Sequence, residues 1–101
     1  MQFVLKAFDK PDALPRRMAV IAEHRAFLDA APAKHGVRVL LSGPLMDEAG
    51  DTMVGSFFLL EEEARADIEA MFEGDPLKNA DVWREVHLTP VAIRQNNMGP
   101  T

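Results

Sequence analysis

Apolar residues recur along this chain with two periods, and the switches between them mark six elements. Residues 2–8, QFVLKAF, are rich in strand formers and bounded by the polar run Asp9, Lys10, Pro11, Asp12. From residue 14 to about residue 30 the period becomes helical, with Val20, Ile21, Phe27, Leu28 and Ala31 on one stripe. Pro15 suits the first turn of that helix, and Pro32 and Gly36 are expected to end it. Residues 37–42 read as a second strand, stopped by Gly43-Pro44, and residues 53–60 as a third, paired with it across the turn-rich run 46–52. A second helix is expected over 61–72, with three glutamates in its first turn and Ala64, Ile68, Met71 and Phe72 on one stripe before Gly74. In the last element Val82, Val86 and Leu88 fall on one alternating face. The order βαββαβ in about 100 residues predicts an α+β ferredoxin-like sandwich, two helices on one face of a four-stranded antiparallel sheet.

The strands are apolar on both faces. Phe58 and Leu60 point one way and Phe57 and Leu59 the other; Phe3 and Leu5 likewise oppose Val4 and Phe8. A two-layer fold covers only one sheet face, so the second predicts a homodimer packed sheet to sheet. The alternative cover is the C-terminal tail, but RQNNMGPT is mostly polar. The expected organisation is one domain over residues 1–95 and a polar tail over 96–101.

Composition narrows the function classes. Hydrophobic residues make up 48% and charged residues 27%, which is ordinary for a globular domain and too apolar for disorder. The net charge is −5 and the 11 basic residues are scattered, so no nucleic-acid surface is expected. Cysteine is absent, which excludes disulfides and thiolate metal sites. No run is long enough for a membrane span, and the first residues lack the apolar core of a signal peptide, so a cytoplasmic protein is expected.

One residue breaks the helical pattern. The stripe that carries Val20 and Ile21 should continue with Leu or Ala, and it holds His24. It is either a buried neutral imidazole with both nitrogens satisfied, or an acid–base group, which requires a carboxylate to fix its tautomer. Arg17 lies seven residues earlier, about two turns along the same side. It reads either as a snorkelling side chain or as a cation for a substrate anion. Asp75-Pro76 is a helix-start signal, Asp as N-cap and Pro in the first helical position. That role explains the dipeptide alone; in a ferredoxin-like sandwich the same Asp75 can also aim an oxygen at the middle of the first helix.

His24, Ser42-Gly43-Pro44 and Asp75-Pro76, in this order within a βαββαβ chain, resemble the YciI-like (YCII-related) family over nearly the whole length. The resemblance implies a dimeric α+β barrel of ferredoxin-like subunits, a His24–Asp75 dyad lining a small cleft, and Arg17 and the turn at Ser42-Gly43 as substrate-binding groups. It further implies general acid/base chemistry on a small cyclic oxygenated substrate, of the lyase, isomerase or dehydrochlorinase type. Two positions depart from relatives: Ile21 stands where many carry a second arginine, and Leu77 where an aromatic residue commonly follows Asp-Pro. Both make the cleft more apolar.

Other chemistries find little purchase. His24, His35 and His87 lie in different elements without ligand partners at helical spacing, so no metal is expected. His35 reads as a helix-terminal residue, and His87 as a surface or interface residue. There is no phosphate loop or nucleophile elbow, and no cofactor is expected. The alternative to an enzyme is a ligand-binding or accessory module with the same cleft and no turnover.

Overall fold

The chain runs β1 (Gln2–Asp9), α1 (Leu14–His35), β2 (Arg38–Met46), β3 (Met53–Glu61), α2 (Arg65–Phe72), α3 (Pro76–Asn79) and β4 (Trp83–Val91). This is a computed structural model that describes residues 1–99, so the last two residues of the polar tail 96–101 lie outside the described residues. The sheet order is β2-β3-β1-β4 with every neighbouring pair antiparallel, the α+β ferredoxin-like arrangement that the element order predicts.

Register decides which residues meet. Leu5 stands opposite Phe58 on β3 and opposite Leu88 on β4, so Phe3, Leu5, Ala7, Phe58 and Leu60 form one buried face under the helices. Ile68, Met71 and Phe72 of α2 close onto it, joined by Leu77, Val82 and Trp83. The Phe58 and Phe72 rings meet edge to face at 4.9 Å between centroids. Val4, Phe8, Phe57 and Leu59 lie on the opposite face and are only partly buried. At Gly55 a side chain would overlap the Ala7 backbone carbonyl, so glycine lets β1 and β3 approach there.

Four boundaries differ from the sequence reading, each for a local reason. Helix α1 passes through Pro32 and ends at His35. Pro32 removes only its own donor, and its carbonyl accepts from the N–H groups of Gly36, at φ 73°, and Val37. Strand β2 continues through Gly43-Pro44 to Met46, because it is an edge strand where a missing donor is tolerated. The three glutamates precede α2 rather than start it: Glu61 ends β3 and pairs with Arg38 at 2.6 Å, and only Asp67 is acidic in the first turn. Finally, Asp75-Pro76 opens a short separate helix, α3.

Candidate active site

Helix α1 buries Arg17, His24 and Ala31, one residue every seven, while Val20, Ile21, Phe27 and Leu28 beside them are only half-buried. Two of the three most enclosed side chains on this helix are therefore polar. Each has a partner from another element, as burial of a polar group requires.

The His24 partner is Asp75. His24 Nδ1 lies 2.9 Å from Asp75 Oδ1, with Asp75 fully buried and the histidine nearly so. Local sequence places the carboxylate: Asp75 caps α3, Oδ1 accepting the Leu77 N–H at 2.9 Å while Pro76 takes the first helical position. Both sequence readings of Asp75 therefore hold at once, the cap and the oxygen turned toward α1. An ionised carboxylate only accepts, so the imidazole donates from Nδ1, and in its neutral form the ring carries its lone pair on Nε2. Nε2 has no hydrogen-bond partner among the described residues. The ring stands edge-on to Phe58 at 6.0 Å, and Asp75 Oδ2 is buried without a hydrogen-bond partner among the described residues.

Arg17 is 1% exposed, which overturns the snorkelling reading. Its Nε and Nη2 donate to the two carboxylate oxygens of Asp9 at 2.7 and 2.9 Å, a bidentate pair, and Nη2 also donates to Ser56 Oγ at 2.8 Å. Asp9 thus balances the charge of Arg17 inside the protein. Nη1 keeps its donors without a hydrogen-bond partner among the described residues.

A cleft of about 210 Å³ opens between these groups. Its walls carry Arg17, Ile21 and His24 from α1, Ser42 and Gly43 from β2, and Ser56 and Phe58 from β3. An engineered cavity of roughly 150 Å³ holds benzene, so the space suits a single substituted ring. The structure brings all five expected residues into one neighbourhood: His24, Arg17, Ser42 and Gly43 line the cleft, and Asp75 stands behind His24. Ser42 and Gly43 reach it from within a strand, and a Cβ at Gly43 would meet nothing within 4 Å.

Neither Asp9 nor Ser56 is among the candidate site residues of the sequence, where Asp9 reads only as the edge of a polar run. Their signal was period-2 alternation: Asp9 continues the inward series Phe3, Leu5, Ala7, and Ser56 precedes the inward Phe58 and Leu60. A polar residue at an inward place of each strand marks the same site as His24 does on α1.

Fold and site together define an α+β ferredoxin-like domain with a histidine–carboxylate pair behind a small, partly polar cleft. The chain belongs to the YCII-related domain family, whose model matches residues 1–92. It is similar to the 5-chloro-2-hydroxyhydroquinone dehydrochlorinase TftG of Burkholderia phenoliruptrix, solved in complex with 2,5-dihydroxybenzoquinone. That likeness has a TM-score of 0.80 at 25% identity and covers 91% of this chain and 94% of the other. More distant likenesses show the fold alone. A protein of the antibiotic biosynthesis monooxygenase type from Bacteroides thetaiotaomicron has a TM-score of 0.58 at 14% identity, covering 100% of this chain and 95% of that one. A protein from Agrobacterium tumefaciens has a TM-score of 0.55 at 11% identity, covering 98% and 100%. No curated protein matches the sequence.

Proposed function

We propose that this protein is a small-molecule enzyme of the lyase, isomerase or dehydrochlorinase type, using His24 as general acid and base on a small cyclic oxygenated substrate. The carrying observation is the 2.9 Å contact between His24 Nδ1 and the buried Asp75 carboxylate, which leaves Nε2 as the basic nitrogen at the cleft. Asp75 holds the tautomer and stabilises the imidazolium formed when Nε2 takes a proton. Arg17, Ser42 and Gly43 bind the oxygens of the substrate. The likeness to TftG, a dehydrochlorinase solved with a hydroxyquinone, supports the substrate class, and the net charge of −5 fits a small ligand better than a nucleic acid.

The chemistry can be read without knowing the natural substrate. 2,5-Dihydroxybenzoquinone has ring C–H groups whose exchange with D2O needs proton delivery and removal at carbon, and proton NMR follows their loss. The wild type is expected to accelerate that exchange, with His24→Asn losing roughly 10²–10⁴-fold. If the wild type binds the quinone without accelerating exchange, the acid–base reading fails and the chain is a binding module.

The unit of function in this proposal is a homodimer joined through the open sheet face. Half-buried Val4, Phe8, Phe57 and Leu59 on that face support it. Light scattering at micromolar concentration is expected to give the dimer mass; a monomer mass removes the proposal.

A further inference from the structure

The buried network behind the cleft includes a hydroxyl whose own hydrogen is unassigned. Ser56 is 2% exposed, and its Oγ accepts from Arg17 Nη2 at 2.8 Å. The direction of that bond is settled, because a guanidinium only donates. The Ser56 O–H must therefore point elsewhere, and it donates to no acceptor among the described residues. What remains open to it is the cleft, whose wall Ser56 forms together with His24 and Phe58.

We propose that Ser56 is a further oxygen-binding donor of this site, beside Arg17, Ser42 and Gly43, and that it takes the ring carbonyl oxygen on which charge develops while the acidic carbon faces Nε2 of His24. The inference rests on the acid–base reading of His24 and adds the partner that such chemistry requires. When Nε2 takes the proton from carbon, the C–H electron pair becomes a C=C bond and the carbonyl electrons move onto oxygen. The resulting enolate is neutralised either by return of the proton to another ring atom, an isomerisation, or by expulsion of an adjacent leaving group such as chloride, an elimination. In both outcomes negative charge develops on the oxygen, where a donor is worth most.

Ser56 is suited to that role by its neighbours. A hydroxyl that accepts from a cation becomes a stronger donor through its own hydrogen, as in any polarised chain of hydrogen bonds. Arg17 thereby acts on the substrate through Ser56, and Asp9 holds the guanidinium still through two bonds. Asp9 is a positioning residue in this relay, while Arg17 both polarises Ser56 and lines the cleft itself.

The test uses the purified full chain and 2,5-dihydroxybenzoquinone, with binding read by visible absorbance and the carbonyl stretch of the bound quinone by infrared difference spectroscopy. The wild type is expected to lower the stretching frequency on binding. Ser56→Ala is expected to abolish that downshift and to weaken binding about tenfold to a hundredfold, the loss of one hydrogen bond to a charged network. Ser56→Cys keeps the shape with a weak donor and serves if Ser56→Ala does not fold; it is expected to lose most of the downshift. His24→Asn is expected to keep the downshift while losing deuterium exchange, so failure of the two readings is distinguishable. A wild-type downshift that survives in Ser56→Ala or Ser56→Cys overturns the proposal, and so does a wild type that leaves the carbonyl band unmoved or fails to bind the quinone at millimolar concentration.

Discussion

Helices α1 and α2 lie on the same sheet face and hold themselves there by opposite means. Helix α2 buries Ile68, Met71 and Phe72, all apolar, against Phe58 and Trp83. Helix α1 buries Arg17 and His24 beside Ala31, and each of the two polar residues depends on a carboxylate brought from elsewhere, Asp9 at the end of β1 and Asp75 at the start of α3. Apolar packing tolerates approximate fit and needs no named partner. A buried polar side chain is stable only opposite the right group, so α1 is specified by its site as much as by its core.

Removing one partner on each side separates the two means of support. Phe72→Ala should cost about 3–5 kcal/mol through lost burial and a cavity. Asp9→Ala should cost a similar amount, about 3–5 kcal/mol, but by stranding the Arg17 charge inside the protein. Urea unfolding separates the causes. Replacing both members of the pair, Arg17→Met with Asp9→Leu, should recover most of the loss on α1 while disabling quinone binding, whereas no second change on α1 can repair α2.

Asp75→Asn should be much milder, about 1 kcal/mol, because asparagine still caps α3. Its effect falls on chemistry: nitrogen NMR of the His24 ring should show hydrogen on Nδ1 in the wild type and a mixture of tautomers in the variant. An unchanged ring would mean that Asp75 acts only as a cap.

The smallest expected effect lies outside both helices and serves as a control. In the β2–β3 loop, the backbone N–H groups of Asp51 and Thr52 hold the half-buried Asp47 carboxyl below its usual value of 3.8. A carboxyl lowered on folding stabilises the fold above that usual value, and the contribution fades as pH falls through the lower folded value. Asp47→Asn should therefore slightly flatten the loss of stability on the acid side, seen in melting temperature against pH, and leave quinone binding unchanged.

Much of this was legible in sequence. Period-3.6 and period-2 patterns determine the six main elements and both faces of β1 and β3, because amphipathic spacing is a local property of the chain. His24 stood out since it interrupts an apolar stripe, and Asp75-Pro76 since its capping chemistry is local. Boundaries failed where tertiary position overrides a local stop signal. Gly43-Pro44 could stay in β2 because β2 is an edge, and Pro32 could stay in α1 because it sits in the last turn beside Gly36. The pairings themselves lie beyond sequence: Asp75 is 51 residues from His24, and Ser56 is 39 from Arg17. Side chains so far apart along the chain meet only because sheet register and helix placement bring them together, and hydrogen bonding acts over about 3 Å. Local spacing of apolar and polar residues sets the elements, their faces and the unusual histidine. Long-range packing sets which carboxylate each buried cation or imidazole meets, and which hydroxyl is left facing the cleft.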